Sequence, residues 1–381
     1  MSKKVCLFFI ICFLLPLSGK TQGFVKSEKE DFEWRVIGRA LFDGGAFFSD
    51  STEMGNGVVI NDLRLGVVMR FLTNWQGRVE IGFSESKVSL KDVYVAYHQG
   101  AHTLRAGHYF ELFGIENRVA TTTYRLMNMS VTNSTFGDRR KIGFSYMYDK
   151  LRWTVAGGIF SDSDVDNNKG LNEGYTLVGK WVGRPVFDED KLLHIGLSAR
   201  FSEHDKAERQ ELIYKAGVPT NVLKKDENQF LRASVTDMIN QWRWGTDVIL
   251  LYKGAYLQSE CLVAHVNRAG APDYTGKGGY VQVGYLLLGD RKYTYNRAQG
   301  WVDNPAASNL ELLFRYNVTS MNDRKAEIMG GKEQDITLGA NYFINKYVAV
   351  RLNYTYMVTD KYAVNGKESV NFIQGRLQFS F

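Results

Sequence analysis

From Trp34 to the final Phe381, apolar and polar residues alternate with a period of two, in runs of about ten separated by polar links. Leu63, Leu65, Val67, Met69 and Phe71 alternate with Asp62, Arg64, Gly66 and Arg70. Leu193, Ile195, Leu197, Ala199 and Phe201 alternate with His194, Ser198 and Arg200. The closing run places Ile373, Gly375, Leu377, Phe379 and Phe381 on one side, and Gln374, Arg376, Gln378 and Ser380 on the other. Successive strand side chains point to opposite faces, so each run has one apolar and one polar face. Runs of this length, apolar outside and polar inside, suit tilted strands that cross a bilayer.

A soluble β-sandwich also alternates. Two features favour a membrane barrel. The apolar faces end in aromatic residues, among them Trp34, Trp75, Trp153, Trp181, Tyr342, Tyr356 and Phe381, as interfacial girdles do. The polar faces carry arginine. The expected fold is an all-β transmembrane antiparallel β-barrel. Its spans are 34–42, 58–71, 74–84, 88–97, 102–110, 140–148, 151–160, 174–183, 192–202, 244–254, 256–266, 278–288, 310–319, 335–343, 347–357 and 370–381, sixteen in all.

Parity constrains the remainder. Bacterial barrels have an even number of strands, and both termini then lie on the periplasmic side. The tight links at 72–73, 149–150, 255 and 344–346 then all become periplasmic turns. The strand-like run 228–236 would break that phase, so it belongs to an outer loop, 203–243. A second outer loop covers 111–139. A third long connection, 289–309, falls on the periplasmic side, where turns are normally short; a segment folded into the lumen is expected there.

The N-terminus changes the expected compartment. Lys3 and Lys4 precede an apolar run from Val5 to Leu17, followed by Ser18, Gly19, Lys20 and Thr21. That order reads as a secretory signal over 1–21, too short for a spanning helix, with 22–381 as a single outer-membrane barrel. The terminal phenylalanine resembles the insertion signal of outer-membrane proteins. Cys6 and Cys12 would leave with the signal. Cys261 alone would then remain, with neither a disulfide nor a cysteine metal cluster. The four later prolines, Pro185, Pro219, Pro272 and Pro305, fall between strand-like runs, where no ladder donor is lost. The formal charge of +6 falls to about +3 without Lys3, Lys4 and Lys20, so charge placement matters more than its total.

Sixteen strands leave an aqueous channel, and rings of basic residues favour anions. Alternation turns Arg39, Arg64, Arg70, Arg78, Arg105, Lys141, Arg152, Lys180, Arg200, Arg315, Arg351 and Arg376 inward. The inward acids read the same way are fewer: Asp62, Glu80, Asp92, Glu260 and Glu311. Within the 111–139 loop, Arg118 and Arg125 stand among hydroxyls and amides with no acid between Asn117 and Gly137, and Arg139 and Arg140 close its base. Guanidinium forks and hydroxyls suit phosphate oxygens; an exposed polar loop explains the same composition. Arg291, Lys292 and Arg297 in the periplasmic connection are further candidates. His98, His102 and His108 sit at a turn and on strands of opposite direction, a poor metal arrangement. The chain has no P-loop, G-x-S-x-G or H-E-x-x-H motif. No catalysis, cofactor or nucleic-acid partner is expected.

Longer segments resemble the phosphate-selective porin O and P family. They are Asp92-Val93-Tyr94, GHYFELFGIE at 107–116, LLHIGLSARF at 192–201, GYVQVGYLLLGDRKY at 279–293, LELLFRY at 310–316 and QGRLQFSF at 374–381. The resemblance implies a sixteen-stranded, usually trimeric porin in outer-membrane lipid. It implies an outer loop after the fifth strand, a later outer loop and one periplasmic turn that fold inward to line an anion path. One motif departs: in the family's G-x-x-K-x-P-F, Phe110 and Leu112 replace the lysine and proline. The expected function is passive diffusion of small anions such as phosphate. The alternatives are a general non-selective porin and a surface barrel enzyme. A TonB-dependent receptor would need a large N-terminal plug, and only about a dozen residues separate the expected cleavage point from the first strand.

Overall fold

The computed structural model describes residues 23–27, 31–49, 51–84, 87–137, 139–161, 174–203, 211–223 and 228–381. The expected export signal lies outside these residues. Sixteen antiparallel strands close into one barrel: β1 (Phe32–Ser49), β2 (Gly57–Phe71), β3 (Trp75–Ser84), β4 (Lys87–Gln99), β5 (His102–Phe110), β6 (Arg140–Asp149), β7 (Trp153–Ser161), β8 (Tyr175–Phe187), β9 (Lys191–Glu203), β10 (Met238–Tyr252), β11 (Ala255–Arg268), β12 (Tyr274–Leu286), β13 (Asn309–Asp323), β14 (Ile328–Phe343), β15 (Val348–Thr359) and β16 (Ser369–Ser380). β1 closes on β16, with Arg39 opposite Ser380 and Ser49 opposite Val370. Closure removes sheet edges, so strand amides are paired where lipid offers no partner.

Each strand corresponds to one span read from periodicity. Several run further on the outer side: β1 reaches Ser49, β13 reaches Asp323 and β14 begins at Ile328. On β13 and β14 these extensions turn polar on the outer face, with Ser320, Asn322, Lys332 and Gln334, whereas β1 keeps Phe48 exposed there. On the lipid side Leu65, Val79, Val283, Leu338, Leu352 and Leu377 stand exposed. Trp75 packs on Tyr97 with ring centroids 5.1 Å apart, and Trp153 on Tyr148 at 5.3 Å, within the expected girdle.

The run at 228–236 stays out of the barrel sheet. Leu231–Val235 pairs with Leu212–Ala216 as a separate hairpin, as parity requires. The periplasmic connection carries a smaller hairpin, in which Tyr295 faces Val302 and Asn296 faces Trp301. The loop after β5 holds a 3-10 turn at Glu116–Arg118 and a short α-helix, α1 (Val131–Phe136), whose first turn is capped by Ser130 Oγ accepting from the Asn133 amide at 3.2 Å. Such a cap contributes about 1 kcal/mol.

Candidate functional site

The loop after β5 is packed inside the barrel, with Phe113, Ile115, Leu126, Val131 and Phe136 buried. Two glycines of the 107–116 motif make its entry possible. Gly107 has φ +135°, and a Cβ there would lie 2.3 Å from the Val93 carbonyl oxygen. Gly114 has φ +63°, and a Cβ would lie 2.7 Å from Glu260 Oε2. That carboxylate is the loop's anchor: it accepts from the Ile115 amide at 2.7 Å, the Glu116 amide at 2.9 Å and the Tyr280 hydroxyl at 2.7 Å. Glu116 turns back into the loop, where its carboxylate accepts from Ser130 N and Oγ, each at 2.8 Å. Burial raises the Glu116 pKa, and Arg315, 3.5 Å away, counters that.

The periplasmic connection rises to meet this loop. Arg118 Nη2 donates to the Gln299 carbonyl at 2.9 Å, and Asn304 Nδ2 donates to the Thr122 carbonyl at 3.0 Å. The Tyr295 hydroxyl meets His194 Nδ1 at 2.7 Å, and Tyr293 donates to Glu311 at 2.9 Å. The later outer loop descends as well, where the Pro219 carbonyl accepts from Asn128 Nδ2 at 2.8 Å and Gln374 Nε2 at 3.1 Å. All three long connections therefore enter the lumen.

Their placement divides the barrel wall. Inward side chains of β9–β16 lie beneath the infolded segments, with Arg315 and Arg351 each 1% exposed and Arg376 2%. Arg200 pairs with Glu111 at 2.8 Å and Arg376 with Asp43 at 2.6 Å. Arg351 donates to the Thr122 carbonyl at 2.7 Å and to that of Tyr124. Arg200, Arg315 and Arg351 thus hold the loop after β5, Arg376 ties β16 to β1, and none of them faces open water. The buried acids Asp43, Glu111, Asp247, Glu333 and Asp335 join those read from the sequence, so the basic excess is local rather than general.

The excess lies on β1–β6, where inward Arg39, Arg64, Arg78, Arg105 and Lys141 stay partly exposed, and Arg140, the first residue of β6, reaches the same side through Asp92. Arg39 reaches Asp62 at 3.0 Å and Glu80 at 3.3 Å. Arg64 meets the same two acids at 2.6 and 2.9 Å. Arg78 bonds Glu80 and stands 3.6 Å from Asp92, which Arg140 meets at 2.7 Å. The loop touches this lattice through Thr121 Oγ1, 2.8 Å from Asp62. Arg105 lies over Tyr94 at 4.6 Å and Tyr109 at 5.1 Å. Among the described residues, no carboxylate forms an ion pair with Arg105 or Arg118. Burial, with Arg105 nearby, pushes the Arg118 pKa down to about 10, which leaves it cationic at neutral pH.

The other sequence candidates separate. Arg125 is buried against Glu311 at 3.4 Å and Asn304 at 3.0 Å. Arg139 is exposed. Arg291 is exposed near the periplasmic rim, and Lys292 pairs there with Glu189 at 2.9 Å. Arg152 lies in the turn after β6, exposed and bonded to the Pro185 carbonyl, instead of on the lumen wall. Arg70 is exposed, 4.0 Å from the Phe24 ring. His98, His102 and His108 bond separately to Thr103, Tyr146 and the Lys91 carbonyl. Sequence reading missed Asp43, just past its first span. It also missed Asp247, although Asp247 stands in inward phase between the outward Trp244 and Leu250.

The fold is shared with solved outer-membrane proteins. OmpT of Vibrio cholerae superposes with a TM-score of 0.59 at 12% identity, over 94% of this chain and 99% of that one. The outer-membrane channel DcaP of Acinetobacter baumannii gives 0.58 at 13% identity, over 94% and 99%. An anion-selective porin from Comamonas acidovorans gives 0.57 at 11% identity, over 92% and 100%. An uncharacterized protein of Caulobacter vibrioides is 24% identical over 357 residues, covering 85% of this chain and 69% of that protein. The sequence profile described as phosphate-selective porin O and P matches residues 40–381. This outer-membrane barrel therefore belongs to the phosphate-selective porin O and P family.

Proposed function

We propose that the chain forms a passive diffusion pore for small anions, phosphate included. The observation that carries this reading is the lining of the β1–β6 side. There Arg39, Arg64, Arg78, Arg105 and Arg140, with Arg118 opposite them on the loop, outnumber Asp62, Glu80 and Asp92. Fixed cations lower the energy of a passing anion and raise that of a cation. Guanidinium forks and the Thr121 hydroxyl suit oxyanions. Passage needs no catalytic group, in keeping with a channel rather than an enzyme. A homotrimer is proposed on the family resemblance.

A weakly selective general porin is the second reading. It is favoured by the three carboxylates that neutralise much of the Arg39, Arg64, Arg78 and Arg140 charge. Reversal potentials in planar bilayers under a potassium chloride gradient separate the two. Anion preference, with block of chloride current by added phosphate, supports the first. Absence of preference supports the second, and cation preference defeats both.

A further inference from the structure

The outward face of β11–β14 turns basic toward its outer rim. Along β13 the outward side chains run Leu312, Phe314, Tyr316, Val318 and Ser320 from the membrane centre to the rim. Ser320 stands opposite Lys277 of β12 on one side and Lys332 of β14 on the other. The three therefore form one outward row. Tyr316 marks the aromatic girdle below it, and its hydroxyl donates to Gln334 at 2.7 Å. Toward β11 the row is continued by His265, whose Nδ1 meets the Thr275 hydroxyl at 3.0 Å and whose ring lies 6.3 Å from that of Trp244. Beneath Lys277 the wall is notched: Gly279, at the next outward position of β12, has no side chain and is flanked by exposed Cys261 and by Val318.

The two lysines lack a counter-charge. The outward positions from Ser259 to His265, Thr275 to Val281, Tyr316 to Ser320 and Lys332 to Ile336 carry no acid. The acids at the rim above are engaged elsewhere. Asp273 accepts from the Arg268 amide at 3.0 Å and lies 3.6 Å from His265. Asp323 accepts from the Thr275 amide at 2.8 Å, and Asp360 from Asn322 Nδ2 at 2.7 Å and the Lys332 amide at 3.1 Å. Among the described residues, no carboxylate forms an ion pair with Lys277 or Lys332. A lysine on the lipid face is destabilising in hydrocarbon and nearly neutral at headgroup level, which its long stem reaches. Lys277 and Lys332 stand two strands apart, about 10 Å at the backbone, so their ammonium groups can close on one phosphate or hold two. The basic row belongs to this side of the barrel: at the outer ends of β2 and β4 the exposed residues are Val58, Ile60, Val88 and Leu90.

We propose that the outward face of β11–β14 is a docking site for the phosphorylated headgroup of an anionic outer-leaflet lipid. Lys277 and Lys332 clamp the phosphate, and the Gly279 notch seats the part of the lipid just below it. Clusters of lysine beside a membrane span recognise anionic headgroups in this way. The site lies outside the pore, so it stands whichever solute the lumen favours.

The test is native mass spectrometry of the detergent-solubilised barrel titrated with bisphosphorylated lipid A, with monophosphoryl lipid A and with phosphatidylcholine. The wild type is expected to retain the bisphosphorylated lipid most tightly and phosphatidylcholine least. Lys277→Gln and Lys332→Gln should each weaken retention of bisphosphorylated lipid A about fivefold. Both side chains point away from the barrel interior, so the variants keep the fold. Lys346→Gln, at an exposed periplasmic turn, is the control and should change nothing. Excess inorganic phosphate should leave the lipid in place. Equal retention of all three lipids, or variants that bind like the wild type, would overturn the proposal. Displacement by inorganic phosphate would overturn it too, since the patch would then take the free anion rather than a lipid.

Discussion

Arg140 Nε stands 2.7 Å from Asp92 Oδ1, and the same guanidinium lies 4.0 Å over the Phe110 ring. The pair joins β6 to β4 across β5 on the open side of the lumen. Phe110 holds the position where the family pattern has lysine, so Arg140 restores a positive charge at the site of the loss. Its planar group gains from the aromatic face as well as from the carboxylate.

Changing either partner shifts selectivity in opposite directions. At about 7 Å in water-like surroundings one unit charge alters the energy of a passing ion by about 0.6 kcal/mol, a factor of about three. Anion and cation energies move in opposite directions, so Asp92→Asn should raise the anion-to-cation permeability ratio by about the square of that factor, roughly sevenfold, and Arg140→Gln should lower it similarly. Reversal potentials measured at low salt, where screening is weakest, check both. Shifts of the same sign would mean that the pair acts through loop position rather than charge.

Arg118 and Arg125 sit seven positions apart on one loop but differ in their counter-charges. Arg118 donates to the Gly114 and Gln299 carbonyls, whereas Arg125 is met by Glu311. Arg118→Gln is expected to cut anion preference by about threefold or more. Arg125→Gln should change it little. Instead it leaves Glu311 buried without its cation, at a cost of about 3–5 kcal/mol, seen as a lower thermal unfolding midpoint. Equal loss of selectivity in both variants would contradict this division.

The strands were legible because lipid imposes a rule on every second residue, and Leu352, Tyr354 and Tyr356 obey it without exception. Length and parity marked the three long connections and an infolded segment at 289–309, while the infolding of the two outer loops was implied by the family resemblance. The pore lining did not follow, because alternation reports which side chains turn inward and not what covers them. Arg64 and Arg315 have the same phase and the same chemistry. One borders the open path, and the other donates to the Asn128 carbonyl beneath the loop. The buried Arg184 was hidden for another reason: it shares the inward phase of Lys180 and Val182 but stands one residue past the span read at 174–183, where β8 slips against β9.

Gly114 makes a sharp test of loop packing. Alanine at φ +63° costs about 1–2 kcal/mol of backbone strain, and its Cβ would press on Glu260 Oε2 at 2.7 Å. Glu260 would have to yield the Ile115 and Glu116 amides it accepts. Gly114→Ala should therefore fold as a barrel yet loosen the loop, with larger and noisier single-channel conductance. The same substitution at Gly55, which has nothing within 4 Å, is the control and should leave conductance unchanged.

Asp247 joins the two opposed infolded segments. Its Oδ2 accepts from Lys180, which also donates to the Gly114 carbonyl of the outer loop at 2.7 Å. Its Oδ1 meets His194 Nε2 at 2.7 Å, and His194 holds Tyr295 of the periplasmic connection. Asp247→Asn strips the counter-charge from a buried lysine, at a cost of about 3–5 kcal/mol. It should release both segments together, giving larger conductance and new protease cleavage within 289–309. Asp247→Asn with Lys180→Met removes charge and partner at once, so its loss of stability should be smaller than the sum of the two single losses. A double-mutant cycle by thermal unfolding measures that difference. A simple sum of the single losses would show that Asp247 and Lys180 act independently, and that the link between the segments runs through other contacts.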